Sequence, residues 1–164
     1  MADQDTLNQL LQGVESWNAW RRETSTSILD LSYAELAGMD LSQVNFSGVF
    51  LADANLRAAR LKKANLQGAE LAGANLVAAD LTEANASSAD FSHARMVDAV
   101  FAHANLAGAD LRNADLQGCD FRLANLSQAN LRGASLRGAT LTGASLTGAN
   151  LTDTILADAK LDNP

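Results

Sequence analysis

From Leu29 to Asn163 the chain places an apolar residue at every fifth position. These centres begin Leu31, Leu36, Leu41, Phe46 and Leu51 and run unbroken to Leu161. There are 27 of them: 21 Leu, four Phe, one Met and one Ala. The residue two before each centre is Ala, except at Leu29, Met39, Val44, Val49, Cys119 and Thr154. The other three positions of each unit are mostly polar, small or charged. A period of five matches neither the roughly 3.6-residue repeat of a helix nor the two-residue repeat of a strand. A bent path matches it. Each unit then forms one side of a coil and turns a corner, with the centre and the small residue before it inside. Coils of this kind bury their apolar face only by stacking on one another.

Ten of the eleven glycines, Gly38 and Gly138 among them, sit two residues after a centre. That position is expected to be the corner, where unusual backbone angles favour Gly. A longer period of 20 residues also emerges. The side centred on Phe46, Leu66, Ala86, Leu106, Leu126 and Leu146 carries no charged residue, and before its centres stand Asn45, Asn65, Asn85, Asn105 and Asn125, then Ser145. Four units to a coil would stack these amides about 4.8 Å apart, close enough for a ladder of side-chain hydrogen bonds. The predicted core includes Leu31, Leu51, Leu71, Phe91, Leu111, Leu131 and Leu151. Ala86 is the one small centre, and Phe91, Met96 and Phe101 follow it; their bulk is expected to fill the gap it leaves.

Units such as Ala-Asn-Leu-Gln-Gly (64–68) and Ala-Asp-Leu-Arg-Asn (109–113) resemble the pentapeptide-repeat family, written A(D/N)LXX. The resemblance covers residues 29–164 and implies an all-β solenoid, a right-handed four-sided parallel β-helix of about seven coils. The handedness and the four sides are what the resemblance implies; a period of five fixes neither.

Residues 1–28 stand outside the repeat and are expected to form an N-terminal helical cap. Thr6-Leu7-Asn8-Gln9 fits a capping box with Thr6 as N-cap. Leu7, Leu10, Leu11, Val14 and Trp17 then keep helical spacing, which predicts one helix from about residue 6 to residue 22. Arg21 and Arg22 suit its C-terminal end. Leu10, Val14 and Trp17 are the residues expected to cover the first coil near Leu29, Leu31 and Leu36, because a solenoid end exposes apolar surface and unpaired backbone. The run Val14–Arg21 resembles the leader that precedes the repeats in some cyanobacterial members. The last coil has no comparable cover in the pattern. Leu151, Leu156 and Leu161 form a candidate dimer end, and a homodimer through the C-terminal coil is expected.

The formal charge of −7 opposes non-specific binding to nucleic acid or an anionic membrane. No apolar run is long enough to span a bilayer, and the polar first residues do not resemble a signal peptide, so a cytoplasmic location is expected. One cysteine cannot make an intrachain disulfide or a Cys-rich zinc site. His93 and His103 fall on opposite sides of a four-unit coil and cannot share a metal. No nucleophile, base and acid come together. The reading is therefore no enzyme, no catalytic residue, no cofactor and no metal.

What is left is recognition. The favoured reading is a rigid scaffold for an unidentified protein partner. The alternative is an acidic DNA mimic that regulates a DNA-binding enzyme such as DNA gyrase, a mode the family resemblance suggests. One side carries Asp30, Asp53, Glu70, Asp90, Asp110 and Asp153 against Arg112 and Arg132. The repeat as a whole holds 15 acidic and 10 basic residues, a net of −5. Spread over roughly 32 Å of stacked coils, that is several-fold less charge per length than duplex DNA, which carries one per about 1.7 Å.

Overall fold

In the computed structural model, which describes residues 2–24 and 28–161, the repeat is a stack of parallel coils. The residue before each centre pairs with the one 20 positions later, from Asp30 with Phe50 to Thr140 with Lys160, always in parallel. Four units therefore complete a coil. The pairings are isolated bridges rather than extended strands, because each side has room for one before the chain turns.

One unit shows how the backbone is satisfied. The Leu31 amide donates to the Phe50 carbonyl at 2.8 Å and the Tyr33 amide to Ala52 at 2.9 Å, both in the next coil. The Phe50 amide donates back to the Leu29 carbonyl at 2.9 Å. The Ala34 amide donates to the Leu31 carbonyl at 3.0 Å and closes the corner within the unit. Repetition of this set gives four of the five amides of each unit in the middle of the stack a backbone acceptor.

The corners differ from the expectation in one respect. Glycine does take positive φ there, as at Gly38 (φ 67) and Gly138 (φ 68), but sixteen residues with side chains do so too, from Tyr33 (φ 63) to Asp158 (φ 61). An isolated left-handed residue costs about 1 kcal/mol or more. In every coil but the last, the amide of that residue donates to the next coil, so the stacking bonds hold the strained angle. Glycine marks the corner without being required by it.

The core runs the length of the stack. Leu31, Leu51, Leu71, Phe91, Leu111 and Leu131 are each 0% exposed. Leu151 is not buried with them: it is 37% exposed, because among the described residues no further coil lies upon it. The large rings gather in the coil that holds Ala86 and the one after it. Phe91 meets Phe101 edge-on with centroids 6.3 Å apart, and Phe101 stacks on Phe121 at 5.0 Å. Cys119 and Thr154 replace inward Ala. Each sends its side-chain hydrogen to the preceding coil: Cys119 Sγ to the Met96 carbonyl at 2.9 Å, and Thr154 Oγ1 to the Leu131 carbonyl at 2.8 Å.

The segment before the repeat is two helices, not one: α1 (Gln4–Leu11) and α2 (Val14–Glu23). Gly13 sits between them at φ 107, ψ 161, a conformation in which a side chain would be strained, and the chain turns there. The N-cap is Asp3 rather than Thr6. Its carboxylate accepts from the Thr6 amide at 2.9 Å and from the Thr6 hydroxyl at 2.6 Å. Gln9 does not close a capping box; its side chain donates to Ser16 Oγ of α2 at 3.1 Å. Helical periodicity persists across the break, which is why apolar spacing alone suggested one helix.

Candidate interaction surfaces

The helices reach the first coil mainly through α2. Trp17 is fully buried and lies edge-on to Phe46, centroids 5.6 Å apart, with Trp20 tilted beside it at 5.3 Å. Leu10 is also buried and Val14 partly so. The polar atoms of α2 bond to the coil's open edge. Trp17 Nε1 donates to the Asn45 carbonyl at 2.8 Å, and Asn18 Nδ2 to the Gln43 carbonyl at 2.9 Å. The Asn45 amide donates to Asn18 Oδ1 at 2.8 Å. Arg21 donates to the Ser47 carbonyl at 2.7 Å. From the start of α1, the Asp3 amide donates to the Asp30 carbonyl at 2.8 Å. Burial lowers the pKa of the Arg21 guanidinium, and its Nε is buried without a partner.

The asparagine side carries a ladder. Asn65 Nδ2 donates to Asn45 Oδ1 at 3.2 Å, Asn105 to Asn85 at 3.3 Å, and Asn125 to Asn105 at 3.1 Å. Each of these Oδ1 atoms also accepts an amide two residues on, as from Ser47 at 3.2 Å and Ser127 at 3.0 Å. The second bond recurs on every side of the coil. Asp30 accepts from the Ser32 amide at 2.8 Å, Asp80 from Thr82 at 2.9 Å and Asn150 from Thr152 at 3.1 Å. It is the local turn that Asp and Asn side chains make with their own backbone. The ladder alone therefore does not account for Asn at this position. The missed signal was Asp or Asn before centres on all four sides.

The acidic side is less continuous than its composition suggests. Phe50 separates Asp30 from Glu70, and Asn130 and Asn150 end the column, so the stacked acids are Glu70, Asp90 and Asp110. Arg112 Nε donates to both carboxylate oxygens of Asp110 at 2.9 Å. That hydrogen bond, ahead of the other causes, holds the Asp110 carboxyl below its usual value. Arg132 approaches Asp153 at 3.8 Å. On the side centred on Leu41 and Leu61, Arg60 pairs with Asp40 at 3.5 Å and Lys63 with Glu83 at 3.4 Å. Arg122 grips Asp120 in the same manner as Arg112 grips Asp110 and lowers the Asp120 carboxyl in turn. Exposed pairs of this kind add little stability; they leave local charge nearly balanced.

His93 and His103 are both exposed and stand on opposite sides of the coil. Cys119 is fully buried, and burial pushes its thiol well above the ordinary range. Among the described residues no three His, Cys, Asp or Glu are placed to hold a metal ion. No helix is long and apolar enough to cross a membrane among the described residues. At the far end, Leu151 is 37% exposed, Ile155 52% and Leu161 50%, and Leu156 is partly buried.

The family model for pentapeptide repeats matches eight copies, over residues 30–62, 51–85, 59–96, 87–122 and 124–163. No curated protein matches the chain. Among solved structures, a trypsin-treated form of QnrB1, a plasmid-mediated fluoroquinolone resistance protein, is 22% identical with a TM-score of 0.57, covering 82% of this chain and 78% of that one. A pentapeptide repeat protein from the Arabidopsis thaliana thylakoid lumen is 34% identical, with 77% and 71% covered and a TM-score of 0.46. Another, Rfr23 from the cyanobacterium Cyanothece 51142, is 38% identical with a TM-score of 0.45; the match covers 57% of this chain and 60% of that one. With units matched from residue 30 to residue 163 and every coil closing after four of them, this chain belongs to the pentapeptide-repeat family.

Proposed function

We propose that the chain is a non-catalytic scaffold, a right-handed four-sided β-helix whose flat sides present different chemistry to a protein partner. The observation that carries this reading is the split between inside and outside. The interior is the same Leu and Ala in coil after coil, while the outward residues make one uncharged side, one acidic side and two mixed ones. Outward positions can change without touching the core, so the sides are free to be shaped by recognition. Stacked backbone bonds make the rod rigid, which lowers the ordering cost of binding.

The test is side-specific photo-crosslinking. A photoreactive residue is placed at Gln67 on the asparagine side, Asp90 on the acidic side, Val97 on the third and Thr82 on the fourth. Crosslinking of one protein species from one side only is expected. Equal capture from all four sides, or none from any, defeats the reading.

The DNA-mimic alternative rests on Glu70, Asp90 and Asp110, stacked as neighbouring bridges. Three rungs, one of them neutralised by Arg112, are a short stripe. Inhibition of gyrase supercoiling that disappears in Glu70→Gln/Asp90→Asn would favour it over the scaffold. The exposed Leu151 and Leu161 support a homodimer through the last coil. Light scattering should then report twice the chain mass, reduced to one by Leu156→Asp.

A further inference from the structure

The two ends of the stack carry complementary backbone edges. In the middle, each centre's amide donates forward to the carbonyl 19 residues on, as Leu136 does to Ile155 at 2.8 Å. Each residue before a centre donates backward, as Lys160 does to Ala139 at 2.8 Å. At the last coil the forward donors are the amides of Leu146, Leu151 and Leu156, and the acceptors are the carbonyls of Ala144, Ala149 and Thr154. Among the described residues none of these six groups has a backbone partner in the stack. The first coil offers the reverse set: carbonyls of Asp30, Glu35, Asp40 and Asn45, and the amides of the same residues.

A second copy, turned by one side, fits this end. Its unit centred on Leu31 would follow the unit centred on Leu161, and the count of five would continue across the junction. The new rungs would set Asp30 on Ser145, Glu35 on Asn150, Asp40 on Ile155 and Asn45 on Lys160. No rung pairs like charges. An Asn-on-Glu rung already exists inside the stack, where Asn55 Nδ2 donates to Glu35 at 2.7 Å.

The helices occupy part of this edge, at Asp30, Asn45 and Ser47. Inside the stack the Asn45 carbonyl would accept an amide of a preceding coil; here Trp17 Nε1 supplies the donor. The Asn45 amide would find a preceding carbonyl; Asn18 Oδ1 supplies it. Arg21 fills the same role at the Ser47 carbonyl, and the Asp3 amide at Asp30. We infer that α1 and α2 imitate the edge of a missing coil, and that they thereby block a head-to-tail contact between copies of this chain. A head-to-tail contact leaves a new open end each time it forms, so it grows into a filament rather than closing. Any two-fold pairing through the last coil competes for the same end, and the cap is what removes the open-ended alternative.

The test releases the cap in the full chain. Trp17→Ala/Asn18→Ala/Arg21→Ala removes the imitating bonds that α2 makes, and sedimentation velocity and light scattering read the mass over a concentration series. Rods several-fold heavier than the parent, growing with concentration, are expected. Leu151→Lys/Leu156→Asp in the same background should return the mass to one chain. Added at a small fraction, that blocked protein should shorten the rods. In a second preparation a protease site lies between Thr24 and Ile28, and the cap is cut after folding, so refolding of the triple variant is not at issue; cutting should likewise raise the mass. A wild-type monomer would dispose of the dimer reading and leave this inference intact. An unchanged mass after cutting overturns it, and so does assembly that the blocked C-terminal end fails to stop.

Discussion

The first and last coils are built from the same unit, yet their centres differ completely in burial. Leu31 and Leu36 are 0% exposed and Leu41 is 1%, whereas Leu151 is 37% and Leu161 is 50%. The inward neighbours of the centres are larger in the first coil (Leu29, Met39, Val44) than in the last (Ala144, Ala149, Thr154), but the main difference is the layer above the centres. At one end Leu10 and Trp17 form that layer, with Trp17 edge-on to Phe46, itself a centre of the first coil. At the other the described chain supplies none. Burial in this fold belongs to the stack, not to the unit, and a centre is as buried as its neighbours make it.

The largest effect should come from removing the layer at the covered end. Trp17→Ala deletes a fully buried ring and the donor to the Asn45 carbonyl. Large-to-small changes of this kind cost about 3–5 kcal/mol. Hydrogen exchange should show the loss in the first coil and at its junction with the second, at amides such as Phe46 and Phe50, while protection near Leu111 is kept. Uniform loss along the rod would mean that the ends are not separable from the middle.

The same truncation at two centres sharpens the contrast. Leu71→Ala, in a fully buried layer, should cost about 2–5 kcal/mol in chemical denaturation. Leu151→Ala, at a partly exposed centre, should cost less than about 1 kcal/mol. Equal costs would show the last coil to be covered in solution, and would then favour a partner or a second copy on it.

Asn105 tests what the asparagine column is for. It donates to Asn85 at 3.3 Å, accepts from Asn125 at 3.1 Å, and accepts the Ala107 amide at 3.2 Å. Asn105→Ala removes all three and should cost about 1–3 kcal/mol, the range for leaving polar groups unpaired. Asn105→Asp keeps the local turn and loses the donor to Asn85. A small cost for Asp with a large one for Ala would assign most of the stability to the turn. Similar costs would assign it to the ladder.

Much of this was legible in the sequence. The centres, the inward Ala and the 20-residue period are steric necessities of stacking, and they repeat often enough to be read directly. Two features were not legible. The turn made by Asp and Asn was hidden behind the more conspicuous Asn column, because both explanations call for the same residue. The break at Gly13 was hidden because Leu7, Leu10, Val14 and Trp17 keep helical spacing across it. The interaction surfaces were legible only as composition. The Arg112 and Arg122 clamps on Asp110 and Asp120 depend on side-chain geometry within one unit, and residue order alone leaves that geometry open.

Acid should produce the smallest effect, and it should fall on the covered end. The Asp3 carboxyl is lowered chiefly by the Thr6 side-chain hydrogen bond, and Asp30 by that from Ser32. Asp110 and Asp120 are lowered chiefly by Arg112 and Arg122. A carboxyl depressed in the folded state contributes stability that is full above its unfolded value of about 3.9 and is lost as pH falls through the folded value. Stability should therefore be level from neutral pH to about pH 5 and should decline below about pH 4. Asp3 holds the start of α1, and Asp30 receives that segment through its carbonyl, so protonation loosens the cap where it joins the coil. Among the described residues the last coil has no such carboxylate contact with a covering element. Hydrogen exchange at about pH 3 should then make the first coil resemble the last, with the Phe46 amide exchanging faster while Leu111 stays protected. Asp3→Asn, which keeps the acceptor and removes the titration, should weaken this acid response. If the first coil loosens equally in that variant, the acid response arises elsewhere, and Asp30 becomes the next residue to change.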